Sequence, residues 1–373
     1  MIVGACDPCL RRAWLIASLS IRIETAVEAR PSSRTRELLA LGDADLTSAL
    51  SGSRGERYLE RAREREPARL RGAIHGAHCW ACCQHEDAYP PSLRDLSDPP
   101  AVLFGRGDAA LLARLGSEAA VTVVGARRPS GYGREMATLL GRELAFAGLT
   151  VVSGMAFGID SCAHEGALSG RGLTAAVLGG GPDQPHPAGM RSVYERILDA
   201  GLVLSELPPG STPRRWTFPA RNRIMAALGA ITIVVEARER SGSLITTDIA
   251  SDLGRDLGAV PGRVGHASAA GTNELLRQGA QVIRCGQDVL DSLLGPGVTR
   301  LPGGADGSAG PLEGQLAAVL EAVESGAATQ DGVSRALELD AGAAAAALTR
   351  LELLGLLACD SAGRYRRTTR SAA

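Results

Sequence analysis

Between Pro213 and Met225 the chain carries four arginines and two aromatic residues in thirteen positions. Aromatics make up only 3% of the whole and the formal net charge is −1, so this concentration is local. Guanidinium forks grip phosphate oxygens in pairs, and aromatic faces stack on bases. Arg221, Asn222 and Arg223 stand at the start of an expected helix, with Phe218 and Pro219 before them and Trp216 adjacent. This set offers charge for phosphates, a carboxamide for a base edge or backbone contact, and a ring for stacking. Arg214 and Arg215 precede the motif and read as solvated charges. The combination points to single-stranded nucleic acid rather than a small metabolite.

Three glycine-bearing segments extend this set. Val124-Gly125-Ala126-Arg127-Arg128 looks like a phosphate loop, with Gly125 permitting close backbone approach and Arg127 able to meet a phosphate. It has neither the G-x-G-x-x-G nor the Walker pattern, which argues against a dinucleotide oxidoreductase and an NTPase. Ser153 and Gly154 end a strand, and the amides after them open a helix, an anion site by construction. Asp160 reads as support for that loop. Gly179, Gly180 and Gly181 let a ligand lie on the main chain, while His186, between prolines, reads as structural. Ser241 and Gly242 mark a further strand-to-helix turn, beside Glu236, Arg240 and Thr246.

These segments need a scaffold that collects loop ends on one edge. Continuous apolar strands are expected at Ala120–Val124, Thr150–Ser153, Thr174–Leu178, Leu202–Ser205, Ala230–Val235, Asp256–Val260 and Gln281–Ile283, with amphipathic helices between them. That alternation predicts an α/β fold, an extended Rossmann-like, doubly wound parallel sheet of about seven strands whose ligands lie beyond the strands' carboxyl ends. The expected division is a small helical domain of the helix-hairpin-helix type at 1–84, the Rossmann-like domain at 85–295, a linker at 296–311 and a winged helix at 312–373. The linker reading rests on six glycines and three prolines between Gly295 and Pro311. The winged helix rests on three helices followed by two short strands.

The 373 residues hold 40 basic and 41 acidic side chains, and every basic residue is arginine. Near-neutrality excludes a globally basic DNA coat, so a nucleic-acid site must be a local patch. No apolar run reaches membrane-spanning length, and the start lacks a signal-peptide pattern, so a cytoplasmic protein is expected. Eight cysteines include two C-x-x-C pairs, Cys6/Cys9 and Cys79/Cys82, which are candidate zinc ligands with His75 or His78 as substitutes. The pairs stand far apart without knuckle glycines, and the preferred reading is reduced, partly buried thiols with no metal and no cofactor.

Taken together, Gly125 to Gly133, Ser153 to Asp160, Ser205-Glu206, Phe218 to Arg223, Ser241 to Thr246, Pro261-Gly262 and Gly271-Thr-Asn273 resemble the DprA/Smf family in order and spacing. Tyr89-Pro90, Leu93 and Pro99-Pro100 fit that family's entry into its core. The resemblance implies a non-catalytic protein that binds single-stranded DNA, forms a homodimer and loads the RecA recombinase in natural transformation. Carried over residue by residue, it implies DNA contacts from Gly125, Arg127, Ser153, Gly154, Gly180, Phe218, Arg221, Asn222 and Arg223, with Ser241 and Gly242 beside them. The competing readings are a nucleotide hydrolase of the phosphoribohydrolase kind, with Glu236 or Glu274 as its acid, and an interaction scaffold with a vestigial central site.

Overall fold

The structure is a computed structural model, and it describes residues 4–28, 31–295, 314–337, 339–353, 357–359 and 363–367. The expected linker at 296–311 lies outside the described residues. The described chain divides into two compact units, Met1–Val298 and Thr299–Ala373.

The first unit opens with six helices, α1 (Asp7–Ser18), α2 (Ser20–Val27), α3 (Pro31–Ala40), α4 (Asp43–Ser51), α5 (Gly55–Arg63) and α6 (Pro67–Gly76). Two strands follow, β1 (Trp80–Cys83) and β2 (Val102–Gly107). The chain then alternates through β3 (Ala120–Val124), α7 (Gly131–Phe146), β4 (Thr150–Ser153), α8 (Ile159–Ser169), β5 (Thr174–Leu178), α9 (Arg191–Ala200) and β6 (Leu202–Ser205). It continues with α10 (Thr217–Leu228), β7 (Ile231–Val234), α11 (Leu244–Asp252), β8 (Asp256–Ala259), α12 (Ala270–Arg277), β9 (Gln281–Val282) and α13 (Gly286–Leu294).

All nine strands form one sheet in the order β1-β2-β6-β5-β4-β3-β7-β8-β9. The seven expected strands, β3 to β9, are its parallel part. β2 joins β6 antiparallel, and β1 joins β2 antiparallel. β1 corrects the expected boundary at residue 84, because it belongs to the sheet and not to a separate helical domain. Its Trp-Ala-Cys-Cys is buried on both faces and shows no apolar-polar alternation.

Alternate strand residues build two cores, as the pleat requires. Val121, Val123, Ile231 and Ile233 pack against α7, α8 and α13, whereas Val152, Val177, Leu204 and Val234 pack against α10 and α11. The helical front closes onto this body. Leu15, Leu19, Ile23 and Leu46 cluster with Leu207, Trp216 and Ala220, and Leu10, Ala13, Leu70 and Ile74 cluster with Val102 and Phe104. Trp14 meets Phe104 edge-on, with ring centroids 5.4 Å apart. The front and the sheet therefore share cores.

The second unit carries α14 (Gly314–Glu324), α15 (Gln330–Leu337), α16 (Ala341–Leu353) and an antiparallel pair, β10 (Leu357–Cys359) with β11 (Tyr365–Arg367). Val319, Val333, Leu348 and Leu351 form its core. Among the described residues, no helix is long and apolar enough to cross a membrane.

Candidate functional site

β3 lies between β4 on one side and β7 on the other, so the chain winds outward in both directions from the β3/β7 pair. Loops leaving neighbouring strands diverge at such a switch point and leave a crevice beyond the carboxyl ends. A cleft of ≈ 850 Å³ occupies this place. Its walls come from the β3–α7 loop, the first turns of α10 and the β7–α11 loop, with Ala156 and Asp160 beneath.

The β3–α7 loop is held by a buried carboxylate. The Glu236 side chain accepts the Ser130 amide at 3.1 and 3.2 Å and the Ser130 hydroxyl at 2.5 Å. The Ala126 amide donates to the Glu236 carbonyl at 2.7 Å. Gly125 packs so closely that a Cβ would meet the Ile159 side chain and the Glu236 carbonyl. Glu236, one of the two acids of the hydrolase reading, is thus a loop anchor. The other, Glu274, is paired with Arg277, which together with Gln278 holds its carboxyl down to about 2. Glu274 is not among the residues that line the cleft. Asn273 donates to and accepts from Gly262, at 3.1 Å in each bond, and so closes the Pro261–Gly262 turn.

Arg221 forms the floor. It is buried, donates to the Val177 carbonyl at 2.7 Å, and has no partner at Nε among the described residues. Burial pulls its guanidinium down to about 10, against the pull of Asp160, so it is charged at neutral pH. Asp160 is raised by its own burial, and Arg221 with the Ala156 and Gly154 amides opposes that rise. Gly154 makes room for the guanidinium, because any Cβ there would collide with it. Asp160 supports the loop, as expected from the sequence.

The exposed wall is basic. Arg127, Arg128, Arg215, Arg238 and Arg240 all line the cleft and are exposed, and none forms an ion pair among the described residues. Arg127 lies over the half-buried Phe218 ring at 5.3 Å, and His186 approaches the same ring at 5.9 Å. Asn222 donates to the Gly242 carbonyl at 3.2 Å, which joins α10 to the β7–α11 loop. Ser241, beside it, is 2.8 Å from the Ser243 hydroxyl.

Gly125, Arg127, Phe218, Arg221, Asn222, Ser241 and Gly242 therefore meet in one cleft. Four other expected contacts need correction, the first being Gly154, which is buried against the Arg221 guanidinium and does not line the cleft. Arg223 is fully buried on the far side of α10, with Nε 2.6 Å from Asp98 and two nitrogens on Glu206 at 3.0 and 2.7 Å. Buried to 0% exposure and outside the cleft lining, it cannot reach a phosphate there. Ser153 is fully buried and donates to the Val123 carbonyl at 2.7 Å, tying β4 to β3. Gly180 is covered by the loop carrying Ser211 and Pro213, so it is no open floor. Trp216 is 1% exposed and donates to Ser20 at 3.0 Å, so it anchors the helical front and cannot stack on a ligand. In the other direction, Arg214 pairs with Glu24 at 2.8 Å, but Arg215 faces the cleft. Arg238 is a lining residue that sequence reasoning missed. Its signal was present, in a third arginine-bearing strand end after Glu236.

A family model described as DNA recombination-mediator protein A matches residues 80–294, from the first residue of β1 to the end of α13. The chain belongs to this family. Among the recombination-mediator relatives, the DNA processing protein DprA of Bacillus subtilis (strain 168) is 38% identical over 205 residues, 55% of this chain and 68% of that protein. Protein Smf of Synechocystis sp. is 34% identical over 309 residues, 75% of this chain and 78% of that one. The X-ray structure of DprA from Streptococcus pneumoniae matches with a TM-score of 0.60 at 32% identity, covering 76% of this chain and 95% of that one. DprA from Helicobacter pylori, a structure described for its single-stranded DNA binding mode, matches with a TM-score of 0.52 at 33% identity, covering 58% of this chain and 97% of that one.

Proposed function

We propose that the chain binds single-stranded DNA in the switch-point cleft and performs no chemistry on it. The observation that carries this reading is the set of five exposed arginines lining the cleft that also holds Phe218, in a chain whose formal net charge is −1. Phosphates seat against Arg127, Arg128, Arg215, Arg238 and Arg240, and a base stacks on Phe218 once Arg127 turns to a phosphate. Arg221 sets a fixed positive charge beneath the strand. The absence of catalysis is supported by the engagement of Glu236 and Glu274 elsewhere.

Family membership supports the finer parts of the proposal: a cytoplasmic homodimer that hands its DNA to the RecA recombinase during transformation, with the three helices and ribbon of the second unit acting as a winged helix. RecA strand exchange on DNA precoated with a single-strand binding protein tests the handover, and unchanged exchange on adding the chain would remove it.

The cleft itself is tested by fluorescence anisotropy of a labelled oligothymidylate across a salt series. Single alanine replacements of Arg127, Arg238 and Arg240 are expected to weaken binding. Each should also lower the slope of log K against log salt by about 0.7 for every phosphate that is no longer neutralised. Wild-type affinity and slope in the triple variant would refute the cleft as the binding site.

A further inference from the structure

A second constellation lies away from the cleft, where the amino end of α1 meets the end of β1. Cys6 and Cys9 occupy the position before α1 and its first turn, while Cys83 ends β1 and His85 follows in the adjoining turn. The four side chains offer three sulfurs and one imidazole nitrogen, all within 4.8 Å of one another. His85 Nδ1 is 3.5 Å from Cys6 Sγ, 3.4 Å from Cys9 Sγ and 3.8 Å from Cys83 Sγ. Cys6, Cys9 and Cys83 are not in disulfides.

Those separations match the edges of a coordination tetrahedron. With Zn–S near 2.3 Å and Zn–N near 2.0 Å, tetrahedral angles place sulfur and nitrogen ligands about 3.6 Å apart. Core packing of thiols does not require a histidine to sit equidistant from three of them. Thiolate and imidazole donors favour zinc over magnesium or calcium, and four protein ligands leave no open position for catalysis.

We propose that Cys6, Cys9, Cys83 and His85 bind a structural zinc ion that fastens α1 to the edge of the sheet. Zn²⁺ displaces three thiol protons to solvent as the sulfurs coordinate, and His85 binds through Nδ1 with its ring otherwise exposed. The turn is already set for this role, because Arg94 donates to the Gln84 carbonyl at 3.2 Å and to the Glu86 carbonyl at 2.9 Å, on either side of His85. The cross-link joins residues 76 positions apart. It lies on the edge strand β1, which among the described residues pairs with β2 alone.

This ligand set differs from the one read in the sequence. Cys79 donates to the Ala77 carbonyl, and neither it nor Cys82 is in the cluster. Strand alternation explains the exchange: Cys82 and Cys83 point to opposite faces of β1 and belong to different cores. The zinc is on the Cys83 face.

The test uses the full chain, purified under reducing conditions without a histidine tag from cells grown with zinc. Elemental analysis is expected to find about one zinc per chain. Cys9→Ser/Cys83→Ser is expected to lose more than nine-tenths of it, and Cys162→Ser/Cys285→Ser to keep it. As a safeguard against misfolding of the first variant, the wild-type protein is also stripped with a chelator and given Co²⁺. It is expected to show the visible bands of tetrahedral cobalt with thiolate charge transfer. Metal-free wild-type protein that gives no cobalt spectrum would overturn the proposal. So would iron in place of zinc, a disulfide among the three cysteines in the reduced preparation, or zinc retained by the folded Cys9→Ser/Cys83→Ser variant.

Discussion

Replacing Arg223 by alanine separates the two roles that an arginine in this segment can have. The native guanidinium is fully buried and answers Asp98, whose side chain is 0% exposed, and Glu206, whose side chain is 11% exposed. It also donates to the Ala220 carbonyl at 2.8 Å. Burial alone would weaken its hold on its proton, but Glu206 and Asp98 more than reverse this. Without Arg223 both carboxylates stay in the protein with no adequate counter-charge, since Arg36 reaches Asp98 only at 3.8 Å. Removing one partner of a buried pair costs about 3–5 kcal/mol, a large share of a typical folding free energy. Urea unfolding followed by circular dichroism should show that loss in Arg223→Ala. Arg127→Ala, on an exposed side chain, should stay within about 0.5 kcal/mol of wild type. The deficit should also depend on pH. Burial already pushes Asp98 up, with Arg223 opposing. In the variant Asp98 keeps its burial and loses the opposing Arg223 charge, so its native carboxyl binds a proton more tightly than the unfolded one and stability is recovered as pH falls. Arg223→Met with Asp98→Asn and Glu206→Gln removes the charges together and should recover most of the loss. If Arg223→Ala unfolds at the wild-type urea concentration yet loses DNA affinity and salt slope, the reasoning fails and Arg223 is a phosphate clamp after all.

Three further outcomes follow from the same geometry. Phe218→Ala should weaken oligothymidylate binding by about 1–3 kcal/mol with the salt slope unchanged, because stacking is lost and no charge is; a fall in slope without loss of affinity in high salt would contradict it. Trp216→Phe gives up the bond to Ser20 and some packing, so thermal unfolding should report a loss of about 1–3 kcal/mol while DNA affinity below the transition stays at the wild-type value. His164 is fully buried, and burial followed by the nearby Arg221 charge lowers it from 6.5 to about 3. The unfolded chain takes up that proton first, so stability falls as pH drops from 6.5 towards 3, by up to about 1.4 kcal/mol per unit. His164→Gln should flatten this limb in urea titrations at stepped pH, and an unaltered limb would show that other groups produce it.

The parallel sheet was legible because its signals are local. Each of β3 to β8 is a run of four or five residues, and each meets a glycine, proline or acidic turn within a few positions of its carboxyl end. The rule that ligands lie beyond the strands' carboxyl ends then puts Gly125, Phe218 and Gly242 on one edge without any knowledge of side-chain direction. Two things were not legible. β1 shows no periodicity, so the short buried run before His85 merged with the helices ahead of it. The second was the destination of each arginine. Arg221 and Arg223 are two positions apart on one helix, about 200° around its axis, and so face nearly opposite ways. Nothing in the segment says which way is in, since the partners of Arg223 are supplied by Asp98, 125 residues away, and by the strand end at Glu206.

That separation explains why charge density alone overstated one residue and understated others. A guanidinium joins the core when the fold delivers carboxylates to it, and the Asp98–Arg223–Glu206 group does this between the entry segment, α10 and the end of β6. A guanidinium stays available where no carboxylate pairs with it among the described residues, as at Arg127, Arg128, Arg215, Arg238 and Arg240. Arg221 stands between these cases: its charge is buried, Asp160 offsets it without a direct bond, and its Nε has no partner among the described residues. The cleft floor thus keeps a partly uncompensated positive charge, held in place by the absence of a side chain at Gly154. An anion seated above it would meet a field already oriented before binding, with little reorganisation of the protein. The exposed arginines, by contrast, must surrender side-chain freedom when they close on a phosphate. Affinity for the strand should therefore be shared unequally, with the buried arginine fixing where a phosphate sits and the exposed ones setting how steeply binding falls with salt.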